Sequence, residues 1–170
     1  MKVTLRPSIT ADGFIADLNG ECYSWINDED EKRYMNAVHV IGCELVERKT
    51  YEQYVEDFTS RKDIITFVYT SKTTFVDTNN IKFIHGSAHD VLNQIETYGF
   101  TELIISGGGE LNGSLASSGL IDELQLSVHP VVLGKGIPLF GNHDVKLNLN
   151  LISVNNDVPG IVQSIYKVLK

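Results

Sequence analysis

Hydrophobic positions along this chain follow two spacings, and their alternation predicts a layered fold. Ile64-Ile65-Thr66-Phe67-Val68-Tyr69 is a continuous apolar run of strand length, of the kind found where both faces of a sheet are covered. Leu103-Ile104-Ile105 is a second such strand, and Ile81 to His85 a shorter one. Between them the period changes: Val91, Leu92, Ile95 and Tyr98 form one helical stripe over Ser87 to Tyr98, with Ser87 placed to cap it. Nearer the N-terminus, Val3, Leu5 and Ile9 predict an opening strand that Pro7 weakens as a central one. Ala11-Asp12-Gly13 reads as a turn. Tyr34, Val38 and Ile41 place a helix from Asp28 to about Ile41, with acidic residues in the first turn where the helix dipole favours them. Leu45 and Val46 belong to a short strand, and a second helix is expected to begin at Thr50, its cap, and to carry Tyr51, Tyr54, Val55 and Phe58.

Beyond Gly107-Gly108-Gly109, the residues Leu111, Leu115 and Leu120 predict a short helix ending near Gly119, followed by a long strand from Leu124 to Leu133 that contains Pro130. Val145, Leu147, Leu149 and Leu151 then alternate strictly, as do Val162, Ser164, Tyr166 and Val168. Those two runs form an antiparallel pair, connected through Val158-Pro159-Gly160. Strands separated by helices and closed by a strand pair predict an α/β fold. Its sheet is mainly parallel with antiparallel strands at the C-terminal edge, and nothing divides residues 1–170 into more than one domain.

Composition narrows the partners. Fourteen Lys and Arg against 22 Asp and Glu give a formal net charge of −8 over 170 residues, which argues against a nucleic-acid or anionic-membrane binder. A local basic pocket for a phosphorylated ligand is still permitted. Cys22 and Cys43 cannot build a disulfide framework, no window approaches the roughly 20 apolar residues of a membrane span, and the N-terminus has no apolar signal core. The expected setting is the cytoplasm, with both thiols reduced.

A strand that runs into three glycines and then a helix is the most informative local feature. Gly107 to Gly109 can take positive φ and let backbone N–H groups approach a ligand, while the following helix aims its N-terminus at the same place. Pyrophosphate suits such a turn, although a turn needed only for packing would look alike. It is not a dinucleotide fingerprint, since Asn112 stands where the third glycine belongs, and no Gly-Lys-Ser/Thr follows. Gly134-Lys135-Gly136 reads as an ordinary loop. Arg48-Lys49-Thr50 and Thr70-Ser71-Lys72 each end a strand with cations and hydroxyls able to hold phosphate, and ligands of open α/β sheets bind at that edge. Asp30 sits within the run Asp28-Glu29-Asp30-Glu31, where a solvated helix start competes with a functional role, and Trp25 is the only tryptophan. His85 and His89 straddle a strand-to-helix junction, so no metal site is expected.

Ala11-Asp12-Gly13-Phe14-Ile15-Ala16, Ser24-Trp25-Ile26, Arg48-Lys49-Thr50-Tyr51-Glu52 and Ile104-Ile105-Ser106-Gly107-Gly108-Gly109-Glu110-Leu111 together resemble the dihydrofolate reductase-like superfamily. Gly119-Leu120-Ile121-Asp122-Glu123-Leu124 through Pro130-Val131-Val132-Leu133-Gly134 resembles its riboflavin-biosynthesis reductase branch, the RibD C-terminal domain. The resemblance implies a three-layer fold with a mixed, mainly parallel eight-stranded sheet and helices on both faces. It implies NADPH as cofactor and hydride transfer to a C=N or C=O group of a ribosylaminopyrimidine. Gly107, Gly108, Gly109, Glu110 and Leu111 match the pyrophosphate turn, and Arg48, Lys49, Thr50, Ser71 and Lys72 match the site of the adenosine ribose phosphate. A homodimer through the C-terminal edge strands is implied as well.

Two departures stand out. Glu47 replaces the glycine usual before the Arg-x-Thr segment, and would weaken selection for NADPH if it faced the phosphate. Ser106 stands where the riboflavin enzyme often has an acid, and only Lys32 and Arg33 offer a basic cluster for a substrate phosphate. Asp30 has the spacing from Trp25 of the acid that holds and protonates a pterin in dihydrofolate reductases, with Ser127 as its support and Ser24 and Trp25 beside it. The alternatives to the riboflavin-type reaction are therefore reduction of dihydrofolate or another pterin, and a nucleotide-binding domain without reductase activity.

Overall fold

Strands buried on both faces need apolar residues at successive positions, and the central ones here have them. The computed structural model describes residues 1–170. In chain order the first half contains β1 (Lys2–Leu5), β2 (Ser8–Thr10), β3 (Phe14–Ala16), α1 (Asp28–Ile41), β4 (Cys43–Glu47), α2 (Arg48–Gln53), α3 (Val55–Ser60) and β5 (Ile65–Tyr69). The second half contains β6 (Ile81–Ile84), α4 (Ala88–Glu96), β7 (Glu102–Gly107), α5 (Gly109–Ser117), β8 (Glu123–His129), β9 (Ile137–Pro138), β10 (Asn148–Asn155) and β11 (Val162–Leu169).

The main sheet runs β10-β11-β8-β1-β7-β4-β5-β6. Strands β8, β1, β7, β4, β5 and β6 are mutually parallel, and β11 and β10 join antiparallel at one edge. This is the mixed, mainly parallel sheet with antiparallel C-terminal strands expected from the sequence. Residues of alternate parity face opposite layers: Cys43, Leu45, Phe67, Leu103 and Ile105 pack with Val91, Ile95, Leu111 and Leu115 of α4 and α5. Val46 and Val68 pack with Tyr51 and Phe58 of α2 and α3, and Ile104 packs with Val38 of α1.

Several boundaries differ from the sequence-based expectation, each for a local reason. The opening strand breaks at Arg6-Pro7, because Pro7 has no N–H to donate. Its carbonyl still accepts from Ser127 N at 3.1 Å, and β2 resumes beside β8. The second helix starts at Arg48 rather than Thr50, with Glu47 as an N-cap that makes no side-chain bond, and the chain turns at Tyr54 into the separate α3. Strand β8 stops at His129, just before Pro130. The short β3–β9 pair has no counterpart in the hydrophobic pattern. Strand β10 begins at Asn148, so Val145 and Leu147 lie outside it, and a bulge between Leu151 and Ser153 shifts its register; Leu151, Ile152 and Val154 are exposed.

Candidate functional site

The carboxyl ends of the central parallel strands open into one cleft of about 500 Å³. Arg6 after β1, Glu47 at the end of β4 and Ser106 to Gly109 at the end of β7 form its wall, with Ile137 and Pro138 of β9 opposite Ile15 and Ala16 of β3. Gly136 lines it too, so the second glycine cluster is partly a wall and not only a connection.

The three glycines of the turn are required for different reasons. Gly107 and Gly108 have φ of 104° and 82°, which L side chains rarely adopt. A Cβ on Gly109 would stand 2.9 Å from Gly141 N and Pro138 O. Gly108 is the N-cap of α5 and provides no side-chain cap, so the first N–H groups of that helix are open to an anion. The turn is a cradle that side chains would fill, and it suits a dinucleotide pyrophosphate. Glu110 lines the cleft and bonds Asn142 N at 3.2 Å through Oε1, whereas Leu111 is buried in the core. Glu47 does face the turn: a Cβ on Gly108 would stand 2.6 Å from Glu47 Cβ.

Of the cationic segment, Lys49 and Thr50 line the cleft. Arg48 lies outside that wall, ion-paired with Glu52, and Lys72 Nζ reaches the other oxygen of Glu52 at 3.8 Å. Two strand ends distant in sequence thus meet at one carboxylate, with Ser71 exposed next to Lys72. Lys32 and Arg33 do not line the cleft, and Arg33 pairs with Asp157 at 3.4 Å. The guanidinium groups that line the cleft are those of Arg6 and Arg61; burial lowers the Arg6 pKa, and the nearby Asp30 charge partly restores it.

Asp30 is buried, at 3% exposure, and sits behind the wall. Its Oδ1 accepts from Gln163 Nε2 at 2.6 Å and Ser127 Oγ at 3.0 Å, and its Oδ2 accepts from Ser8 Oγ at 3.2 Å. Asp30 and Ser127 are therefore together, as the sequence pairing had them, and Ser8 is the member of the group that reaches the cleft. Ser24 and Trp25 do not line it: Ser24 is exposed and bonds Glu21 at 2.7 Å, and Trp25 packs edge-on against His129 at 5.3 Å. Gln163 escaped sequence reading because β11 presents it on the face opposite the residues whose alternation marked that strand.

His129 is fully buried, and its Nε2 lies 3.3 Å from Asp30 Oδ2 without hydrogen-bond geometry. Burial lowers its pKa below the ordinary 6.5, and Asp30 offsets part of the shift. The unfolded chain therefore takes up this proton first as pH falls, so the histidine's contribution is present above its unfolded pKa and is lost below it. Urea midpoints should drop from neutral to mildly acidic buffer, and drop less in His129→Gln. An equal slope in both chains would contradict the assignment.

A second polar group lies at the cleft floor, and the sequence reading passed over it. Glu44 of β4 has 0% exposure and takes four hydrogen bonds, from Arg61 at 2.8 Å, Thr66 at 3.0 Å, Ser106 at 2.5 Å and Tyr34 at 3.1 Å. Its parity puts it on the α1 face beside Ile104, its register partner. The one signal was a charge inside an otherwise apolar strand, Cys43-Glu44-Leu45-Val46.

Comparison with known proteins bears on the family and the fold. The RibD C-terminal domain profile matches residues 1–163, and the chain belongs to that family, related to the riboflavin biosynthesis reductases. The uncharacterized protein YyaP of Bacillus subtilis (strain 168) is 29% identical over 177 residues, covering 97% of this chain and 94% of the relative. The structure of a putative riboflavin biosynthesis protein from Shewanella sp. PV-4 superposes with a TM-score of 0.85 at 24% identity, covering 100% of both chains. A dihydrofolate reductase from Enterococcus faecalis, solved with NADP(H), superposes with a TM-score of 0.68 at 18% identity over 99% of this chain and 97% of its own.

Proposed function

We propose that this chain is an NADPH-dependent reductase that transfers a hydride to the C=N or C=O carbon of a ribosylaminopyrimidine. The observation that carries the reading is the uncapped N-terminus of α5 behind Gly107 and Gly108, at the carboxyl edge of a parallel sheet. When bound, the reduced nicotinamide supplies the hydride. The protein's own part is to hold the pyrophosphate on the backbone of Gly107, Gly108 and Gly109, with Glu110 and Leu111 fixing the first turn of the helix beneath. Arg48 and Lys72, with Lys49, Thr50 and Ser71 around them, receive the ribose 2′-phosphate by displacing Glu52. Arg6 receives the anionic or carbonyl end of the substrate. Asp30 acts through Ser8, whose hydroxyl it holds, and through its charge on Arg6, so Asp30→Asn lowers turnover more than cofactor affinity.

Thermal-shift and fluorescence titrations with NADPH and NADH, followed by an NADPH oxidation assay with the aminopyrimidine and with dihydrofolate, test this directly. Absence of binding by both dinucleotides leaves a domain without reductase activity. Preference for dihydrofolate moves the substrate to the pterin class. Glu47→Gln is expected to tighten dinucleotide binding about three- to tenfold, the order of one screened like-charge repulsion. No change would mean that Glu47 swings clear of the phosphates. A homodimer through the C-terminal strands accounts for the exposed Leu151, Ile152 and Val154 of the open edge strand β10 and Leu169 of its neighbour β11, and sedimentation equilibrium decides it.

A further inference from the structure

At the floor of the cleft, counting protons fixes what a ligand meets. A carboxylate offers about four acceptor positions. On Glu44, Oε1 takes Arg61 and Thr66, while Oε2 takes Ser106 and has the Tyr34 hydroxyl within reach at 3.1 Å. Ser106 has one hydroxyl hydrogen and has given it to Glu44. The single hydrogen of Tyr34 goes either to Glu44 or to the Ser106 oxygen beside it, and in both cases stays inside the network. Burial, and then the charge of Glu44, hold the Tyr34 phenol well above its ordinary pKa, so it is no phenolate. Ser106 and Tyr34 are only half-buried, and both line the cleft. Ser106 therefore meets a ligand with an oxygen lone pair and no hydrogen to give, and the Tyr34 hydroxyl beside it has none to give either.

We propose that Ser106 and Tyr34, anchored by Glu44, form an acceptor-only subsite that selects the N–H-bearing edge of the substrate over a carbonyl or ether edge of the same shape. This deepens the reductase reading and rests on it for its place in catalysis. Rotating the Ser106 hydroxyl to serve a carbonyl would leave Glu44 Oε2 short of a donor where no water reaches it, which costs affinity. Donors come instead from the guanidinium groups of Arg6, one residue past the Leu5–Ile105 pair, and of Arg61, both of which line the cleft. One end of the pocket floor accepts and the adjacent end donates.

The test uses aminopyrimidine and methoxypyrimidine, which share a ring and differ in N–H donors, titrated by NMR against the full chain without dinucleotide, in mildly alkaline buffer where both are uncharged. The wild-type chain should bind the amino probe about tenfold more tightly, the worth of roughly one hydrogen bond. Ser106→Ala should bring that ratio close to unity, and Ser106→Thr, which keeps the hydroxyl, should restore most of it. Glu44→Gln turns an amide N–H toward the hydroxyls and frees their hydrogens, so the preference should shrink or invert in the folded chain. Equal binding of the two probes by the wild type, or an unchanged ratio in folded Ser106→Ala, overturns the proposal. So does failure of both probes to bind in the millimolar range. Dinucleotide binding is read separately: if NADPH does not bind but the probe ratio responds to Ser106→Ala, the reductase reading falls and the acceptor subsite stands.

Discussion

Replacing Arg61 with methionine is expected to lower the free energy of unfolding by about 3–5 kcal/mol, the cost of leaving a buried charge without its partner. The Glu44 side chain has no exposed surface and that of Arg61 only 8%, and the guanidinium lies 2.8 Å from the carboxylate. Arg61 also pairs with Asp57 and stacks over Phe58 at 4.5 Å, so methionine keeps the stem's packing while removing the charge. Burial disfavours the guanidinium's charge, and Glu44 and Asp57 more than compensate. Changing Arg61→Met together with Glu44→Leu should recover most of the loss, because a buried ion pair replaced whole by apolar groups is often neutral. The exposed pair supplies the contrast: Arg48→Met, which leaves Glu52 with Lys72 alone, should change stability by less than about 1 kcal/mol. Urea unfolding at constant m-value reads all four chains. A single Arg61→Met loss no larger than that of Arg48→Met would show that Glu44 is not held as a buried carboxylate.

The same residue shows why part of the site was hidden in the sequence. Periodicity reports which positions are apolar, and it found the central strands, α1, α4 and α5 because their patterns are long and regular. The glycine turn was legible because its chemistry is local: strand, three glycines and helix are consecutive. Glu44 is different. Within β4 it reads as a break in a hydrophobic run, and only the parallel register with β5 and β7 shows Thr66 and Ser106 beside it. Arg6 likewise reads as the end of a strand until Pro7 breaks that strand at the cleft. Linear proximity misled in the other direction: Ser24 and Trp25 precede Asp30 closely, yet the loop carries them away from the cleft, while Cys22 and Ile26 line it. The meeting of Arg48 and Lys72 at Glu52 joins two loops that no sequence pattern connects. Short strands such as β3 and β9 span too few residues to leave a period.

Gly108→Ala is expected to weaken dinucleotide binding about a hundredfold, near 2.7 kcal/mol, and to lower stability by about 1–3 kcal/mol. The two effects have separate origins. Gly108 holds φ 82° and ψ 145°, a combination nearly restricted to glycine, so any Cβ strains the backbone itself. That Cβ would also press on the Glu47 side chain, which lies against the turn. Relief of either strain rotates the peptide that aims the first N–H groups of α5, and those groups are what the pyrophosphate would use. Gly99→Ala separates strain from function. Gly99 has φ 88°, nothing within 4 Å of its added Cβ, and a position past α4, away from the cleft. It should cost about 1–2 kcal/mol in stability and leave dinucleotide affinity unchanged. Adding Glu47→Ala to Gly108→Ala should recover the steric share of the stability loss and little of the affinity, because the φ/ψ penalty remains. If Gly99→Ala weakens binding as much as Gly108→Ala does, the affinity loss reflects global destabilisation, and the glycine turn is not the pyrophosphate site.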